Sequence, residues 1–229
     1  MENTDLSLIV EKGGTRFTIP HDGKRLTFIY PPFGLNHTFN NAVAIERADL
    51  AKPTFAELTS LLGAVLPPND TNRLEILKLI ESKWLFAYTG ILYVPDKGAY
   101  IQDNPKIRGQ EIFMEESDLI KKLDEKDPSV RYVPFGFKIG TMIPLELREN
   151  PFVIGLAGKY GARTLARVAE QHNRMPNLGS YSLVEQPVTA FSVLISFWDS
   201  NGELSIRCWP GDNRVGYTFG IEKKTRKAA

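Results

Sequence analysis

The apolar positions change rhythm several times along this chain, and each change marks an element. Leu6, Leu8 and Val10 alternate with their neighbours, as do Phe17 and Ile19, and then Leu26, Phe28 and Tyr30. A period of two is that of a half-buried strand. Gly13-Gly14 and Asp22-Gly23 separate these runs with turn chemistry, so three short strands are expected. Pro31-Pro32 should end the third, because neither proline can donate to a sheet ladder.

The period then lengthens. In "KPTFAELTSLLGAVLPP", Phe55, Leu58, Leu61, Leu62 and Val65 fall on one helical face. Thr54 and Glu57 have the spacing of a capping box, in which each side chain satisfies a backbone N–H of the other residue. Pro67-Pro68 stops the helix. A second helix is expected in "DTNRLEILKLIESKW", capped by Asp70 or Thr71, with Leu74, Leu77 and Ile80 as its stripe. A third, "EESDLIKKLDEKD", has Leu119, Ile120 and Leu123 for a narrow buried face and a solvated charge run elsewhere. A longer helix opens at Asn150-Pro151, cap and first helical position. It should run to His172 with an interruption near Gly158 to Gly161, and Leu165, Val168 and Ala169 give its later part an apolar side.

Two hairpins complete the pattern. "GILYVPDKGAYIQDNP" turns either at Asp96-Lys97-Gly98 or with Pro95 as the first central residue, which sets Leu92 and Val94 opposite or near Ala99 and Ile101. In "AFSVLISFWDSNGELSIRCW", a two-residue turn at Asn201-Gly202 would oppose Phe197 to Ile206 and Ile195 to Cys208, apolar beside apolar. Cys208 then points into the core. "RVGYTFGI" is a last strand, and the basic tail 223–229 is expected to be disordered. The elements define an α+β protein: mainly antiparallel hairpins with helices packed on one side, in a single compact body over residues 1–229.

One recurrence bears on domain organisation. "YPPFGL" at Tyr30 returns as "YVPFGF" at Tyr132, and the hairpin glycines Gly98 and Gly202 stand at nearly the same offset. Helices lie between motif and hairpin each time. Pseudo-repeated halves, about 15–110 and 113–222, are one reading; the other is two core aromatics, each beside a turn glycine.

Composition narrows the function classes. Lys and Arg number 28 against 27 Asp and Glu, for a net charge of +1. That argues against a wholesale surface for duplex nucleic acid, though not against a local basic patch. Cys208 is the one cysteine, which fits an intracellular, cytoplasmic setting without disulfides. No run approaches the ~20 apolar residues of a membrane helix, and the start of the chain has too short an apolar run for a signal peptide. The triplets at Asn36 and Asn69 then read as chance matches to a glycosylation site.

No catalytic constellation declares itself. His21, His37 and His172 are far apart, no Cys-x-x-Cys exists, and no metal site is expected. Nucleophile-elbow, Walker and dinucleotide fingerprints are missing, and the sequence leaves the cofactor unknown. Glu115-Glu116 and Glu146 with Glu149 read as helix-end or surface charges. The best anion-site candidate is "GLAGKYGARTLAR": Gly158 and Gly161 would open backbone N–H groups to a phosphate, and Lys159, Arg163 and Arg167 would add charge. The opposing reading has the glycines packing against a neighbour and the arginines solvated. A second candidate is a stacking surface of Trp198, Arg207 and Trp209, which a covering helix would turn into core. The resulting expectation is an intracellular binding or interaction protein, its partner an anionic ligand or a protein. The alternative is an enzyme acting on a phosphorylated or nucleotide substrate.

Overall fold

The computed structural model describes residues 9–10, 16–65, 74–78, 84–195, 202–209 and 215–223. At the N-terminal end, β1 (Ile9–Val10) pairs antiparallel with β2 (Arg16–His21), and β2 with β3 (Lys24–Asn36). His21 and Lys24 close the second hairpin around Asp22 and Gly23, both at positive φ (45° and 67°), as a tight primed turn requires. Leu6, Leu8 and Gly13-Gly14 lie outside the described residues.

Pro31-Pro32 does not end β3. The strand runs on to Asn36 because its register against β14 (Gly216–Glu222) jumps there: Ile29 faces Gly220 and Phe33 faces Thr218. Three residues of β3 thus stand opposite one of β14, and among the described residues β2 pairs no further than Ile29. The prolines occupy a bulge where no ladder donor is needed.

Next come α1 (Thr38–Arg47), β4 (Leu50–Ala51), α2 (Phe55–Val65) and α3 (residues 74–78). The apolar pattern does not mark α1, although Thr38, Asn41, Ala42 and Ile45 are buried at helical spacing. Two of those four are polar, which hides the period. The capping box of α2 is present: Thr54 N–H donates to Glu57 Oε2 (2.7 Å) and Glu57 N–H to Thr54 Oγ1 (3.3 Å). All five expected face residues of α2 are buried. In α3 the stripe is Ile76 and Leu77, whereas Leu74 is exposed; Asp70, Thr71 and Ile80 lie outside the described residues.

The sheet is organised around β5 (Trp84–Val94), buried everywhere but its first residue. It pairs antiparallel with β12 (Val188–Ile195) on one side; on the other it pairs with β14, parallel, at its start and with β6 (Gly98–Asp103), antiparallel, at its end. The β5–β6 turn places Pro95 and Asp96 at its centre, with Asp96 at φ 58° and Lys97 N–H donating to Val94 O (3.2 Å). Leu92 faces Tyr100 and Val94 faces Gly98. The small hairpin of β7 (Lys106–Arg108) and β8 (Glu111–Phe113) stands apart. It leads to α4 (Glu116–Asp124), which buries Leu119 but leaves Ile120 41% exposed, since successive helical residues point about 100° apart.

β9 (Val130–Pro134) pairs with β6. β10 (Gly140–Thr141), α5 (Pro144–Glu149), α6 (Pro151–Gln171), β11 (Pro176–Gly179) and β13 (Leu204–Arg207) complete the chain. β13 pairs antiparallel with β12 and parallel with β11. Its register differs from the one expected: Ile206 faces Leu194 and Ser205 faces Ile195. Gly202 does have positive φ (70°), while Asn201 and Phe197, the other residues of the expected turn and pairing, lie outside the described residues. Long pairing of β12 with β5 on one side, and of β13 with β11 on the other, fixes the register of the two strands.

This is an α+β protein with one mixed, mainly antiparallel sheet. α2 and α6 join β5 residues Leu85, Ala87, Ile91 and Tyr93 in the main core. Ala42 and Ile45 of α1 meet Tyr88 and Phe191 in one smaller cluster, and Leu119 of α4 meets Leu92 and Tyr100 in another. The two Tyr-x-Pro-Phe-Gly motifs have different surroundings. The first lies inside β3 against β14; the second ends β9, which pairs with β6. Among the described residues, no helix is long and apolar enough to cross a membrane.

Candidate functional site

Helix α6 is built in two halves. Asn150 caps the first, its Oδ1 accepting from Phe152 N–H (3.0 Å) and Val153 N–H (3.3 Å), with Pro151 at the first helical position. The helix breaks at Gly158 (φ 70°, ψ 167°), as its sequence predicts. A break frees carbonyls from their i+4 donors, and Arg131 of β9 supplies one replacement: its Nε–H donates to Gly155 O (2.9 Å). The same guanidinium pairs with both oxygens of Asp103 and donates to Ser129 O (3.1 Å). Asp103 also accepts from Thr89 Oγ1 (2.8 Å), which accepts from Phe55 N–H (3.0 Å). One polar chain therefore ties the start of α2, strands β5, β6 and β9, and the kink of α6.

Beside this kink opens a cleft of about 900 Å³. Its walls are the β2–β3 turn (Pro20 to Arg25), Ala56 and Ser60 of α2, and residues 154–160 of α6; Asp103, Pro128 and Arg131 complete them. Lys24, Arg25, Arg131 and Lys159 face two carboxylates, Asp22 and Asp103. Arg131 and Asp103 neutralise each other. Lys24, Arg25 and Lys159 have no ion-pair partner among the described residues. His21 Nδ1 lies 2.8 Å from Ser60 Oγ, which also donates to Ala56 O (3.3 Å). Ser60 is 3% exposed and its hydroxyl is shared between His21 and the Ala56 carbonyl at the wall of the cleft. The arrangement brings charge, hydrogen-bonding groups and apolar wall together at one opening.

Of the anion candidates, Gly158 and Lys159 line this cleft. Gly161 instead faces α2: a Cβ there would stand 2.7 Å from Thr59 Oγ1. Arg163 and Arg167 are exposed and neither lines the cleft; the Arg167 guanidinium instead reaches α2, where a Cβ on Gly63 would stand 3.4 Å from its Nη2. The basic turn His21-Asp22-Gly23-Lys24-Arg25 contributes most of the remaining charge. Its concentration of cationic residues at a hairpin tip was the available signal for it. Asp103 and Arg131, 28 positions apart, leave no mark in the linear pattern.

Of the stacking candidates, Trp198 lies outside the described residues. The Arg207 guanidinium sits 5.3 Å from the Trp209 ring, and Trp209 is 43% exposed, with no helix of the described residues covering it. Gly179 of β11 admits both side chains: a Cβ there would meet Arg207 Cδ at 2.7 Å. Cys208 between them is fully buried, and burial pushes its thiol far above the usual range. Among the described residues no cluster of His, Cys, Asp or Glu could hold a metal ion.

Fold and cleft together define a mixed-sheet α+β protein with an open cleft beside the kink of α6. Among solved structures, its fold is similar to a protein described as accommodating massive sequence variation in Nanoarchaeota by the C-type lectin fold. The two share a TM-score of 0.55 and 12% identity over 84% of this chain and 98% of the other. No family model matches the chain, and no curated protein matches it significantly.

Proposed function

We propose that this chain is a non-catalytic binding protein whose cleft beside the α6 kink takes an anionic ligand. The observation that carries the reading is the meeting at one cleft of Lys24, Arg25 and Lys159, none of which is ion-paired among the described residues. Like charges gathered at a partly enclosed surface raise the local positive potential, and an anion relieves it. The likeness to the C-type lectin fold supports the reading only at the level of architecture. An intracellular setting belongs to the same proposal, since the single buried cysteine leaves nothing for a disulfide framework.

Calorimetric titration of the protein with inorganic pyrophosphate, at low and at moderate salt, tests it. Binding should weaken as salt rises and fall about tenfold or more in Lys159→Ala and in the double variant Lys24→Ala/Arg25→Ala. No binding to the wild type, or equal binding by all three proteins, rejects the proposal.

A further inference from the structure

The cleft is larger and more apolar than an inorganic anion needs. Pro20, Pro128, Ile154 and Ala157 line it beside the cations. So does Tyr160, 48% exposed and adjacent in sequence to Lys159. A volume of about 900 Å³ lies within the usual range for organic ligands and far exceeds a phosphate ion. Large exposed aromatics at a site edge commonly serve as stacking platforms, because every base presents a π-face to them.

We infer that the ligand is a nucleoside phosphate, its phosphate held by Lys24, Arg25 and Lys159 and its base stacked on Tyr160. The inference rests on the anion-binding reading above and adds the ligand class. His21 supplies a further polar contact: with Nδ1 turned to Ser60, its other ring nitrogen has no hydrogen-bond partner among the described residues. The apolar wall of Pro20, Ile154 and Ala157 takes the face of the sugar and base left uncovered by Tyr160. A free mononucleotide and the end of a single strand present this same chemistry.

The test titrates AMP, ADP, pyrophosphate, adenosine and a short 5′-phosphorylated oligonucleotide against the wild type, Tyr160→Ala, Tyr160→Phe and Trp209→Ala. ADP or the oligonucleotide should bind at least tenfold more tightly than pyrophosphate, and whichever is tighter identifies the source of the ligand. Tyr160→Ala should remove that preference while leaving pyrophosphate affinity in place, Tyr160→Phe should retain it, and Trp209→Ala should leave every affinity unchanged. Circular dichroism of each variant checks that the fold is kept. If no anion binds, the cleft reading and this inference fall together. If pyrophosphate binds as tightly as ADP, the cleft reading stands and the nucleotide inference falls. Loss of nucleotide binding in Trp209→Ala, with Tyr160→Ala unaffected, overturns it in favour of the Arg207–Trp209 surface.

Discussion

Gly98 starts β6 at φ 151°, a conformation that residues with a side chain rarely adopt. A Cβ there would also stand 2.7 Å from the Pro134 Cα of β9. Strain and contact act in the same direction, so Gly98→Ala should lower stability by roughly 2–3 kcal/mol. A urea titration followed by circular dichroism measures this, and an unchanged midpoint would refute the close approach. The sequence marks Gly98 as a turn residue, yet its constraint comes from a strand more than thirty residues later. Lys159 shows the same division. Its charge and its neighbouring glycine are visible in the linear chain, while the partners that make it part of a cleft come from β2, β3 and α2.

Among the elements, α2 was the most legible because every signal for it is local. Its cap, its apolar spacing and its terminating prolines lie within seventeen residues. Thr54→Ala removes the hydroxyl that accepts from Glu57 N–H and should cost about 1 kcal/mol, while Thr54→Ser should cost little. Chemical denaturation of both variants checks the difference; an equal loss in the two would show that the methyl group, rather than the cap, is what matters. α6 was legible at its start and at its kink. What the kink does was not, because the Arg131 guanidinium that answers Gly155 O arrives from β9. The β12–β13 hairpin marks the opposite limit. Its Asn-Gly turn is a strong local signal, but pairing with β5 and β11 decides the register.

At the scale of the molecule, three tyrosines report on the whole core. Burial raises the hydroxyls of Tyr88 and Tyr93 well above their usual range, and burial together with Glu116 pushes Tyr100 up to about 12. A group that is harder to ionise in the folded state adds stability that is fully present below its unfolded pKa, near 10. That stability is lost as pH rises from about 10 through 12. Urea midpoints should therefore be insensitive to these groups below about pH 10 and fall beyond it. The ultraviolet absorbance of tyrosinate should show part of the eight tyrosines ionising only as circular dichroism is lost. Smooth ionisation of all eight near pH 10 with the fold intact would contradict the burial described.

The sequence by itself determined the α+β class, the caps and apolar faces of α2 and α6, the β2–β3 and β5–β6 turns, and the break at Gly158. These follow from the period of apolar residues and from backbone chemistry within a few positions. Only the tertiary structure decided the rest. It carried β3 through two prolines in a bulge, shifted β13 into a different register, turned Ile120 outward and left Trp209 exposed. It also divided the candidate anion residues, placing Gly158 and Lys159 in the cleft, Gly161 against α2, and the exposed Arg163 and Arg167 away from the cleft. The physical reason is that register, burial on both faces of a strand and the convergence of charges depend on which distant segments pack together, and the local pattern carries no record of those partners.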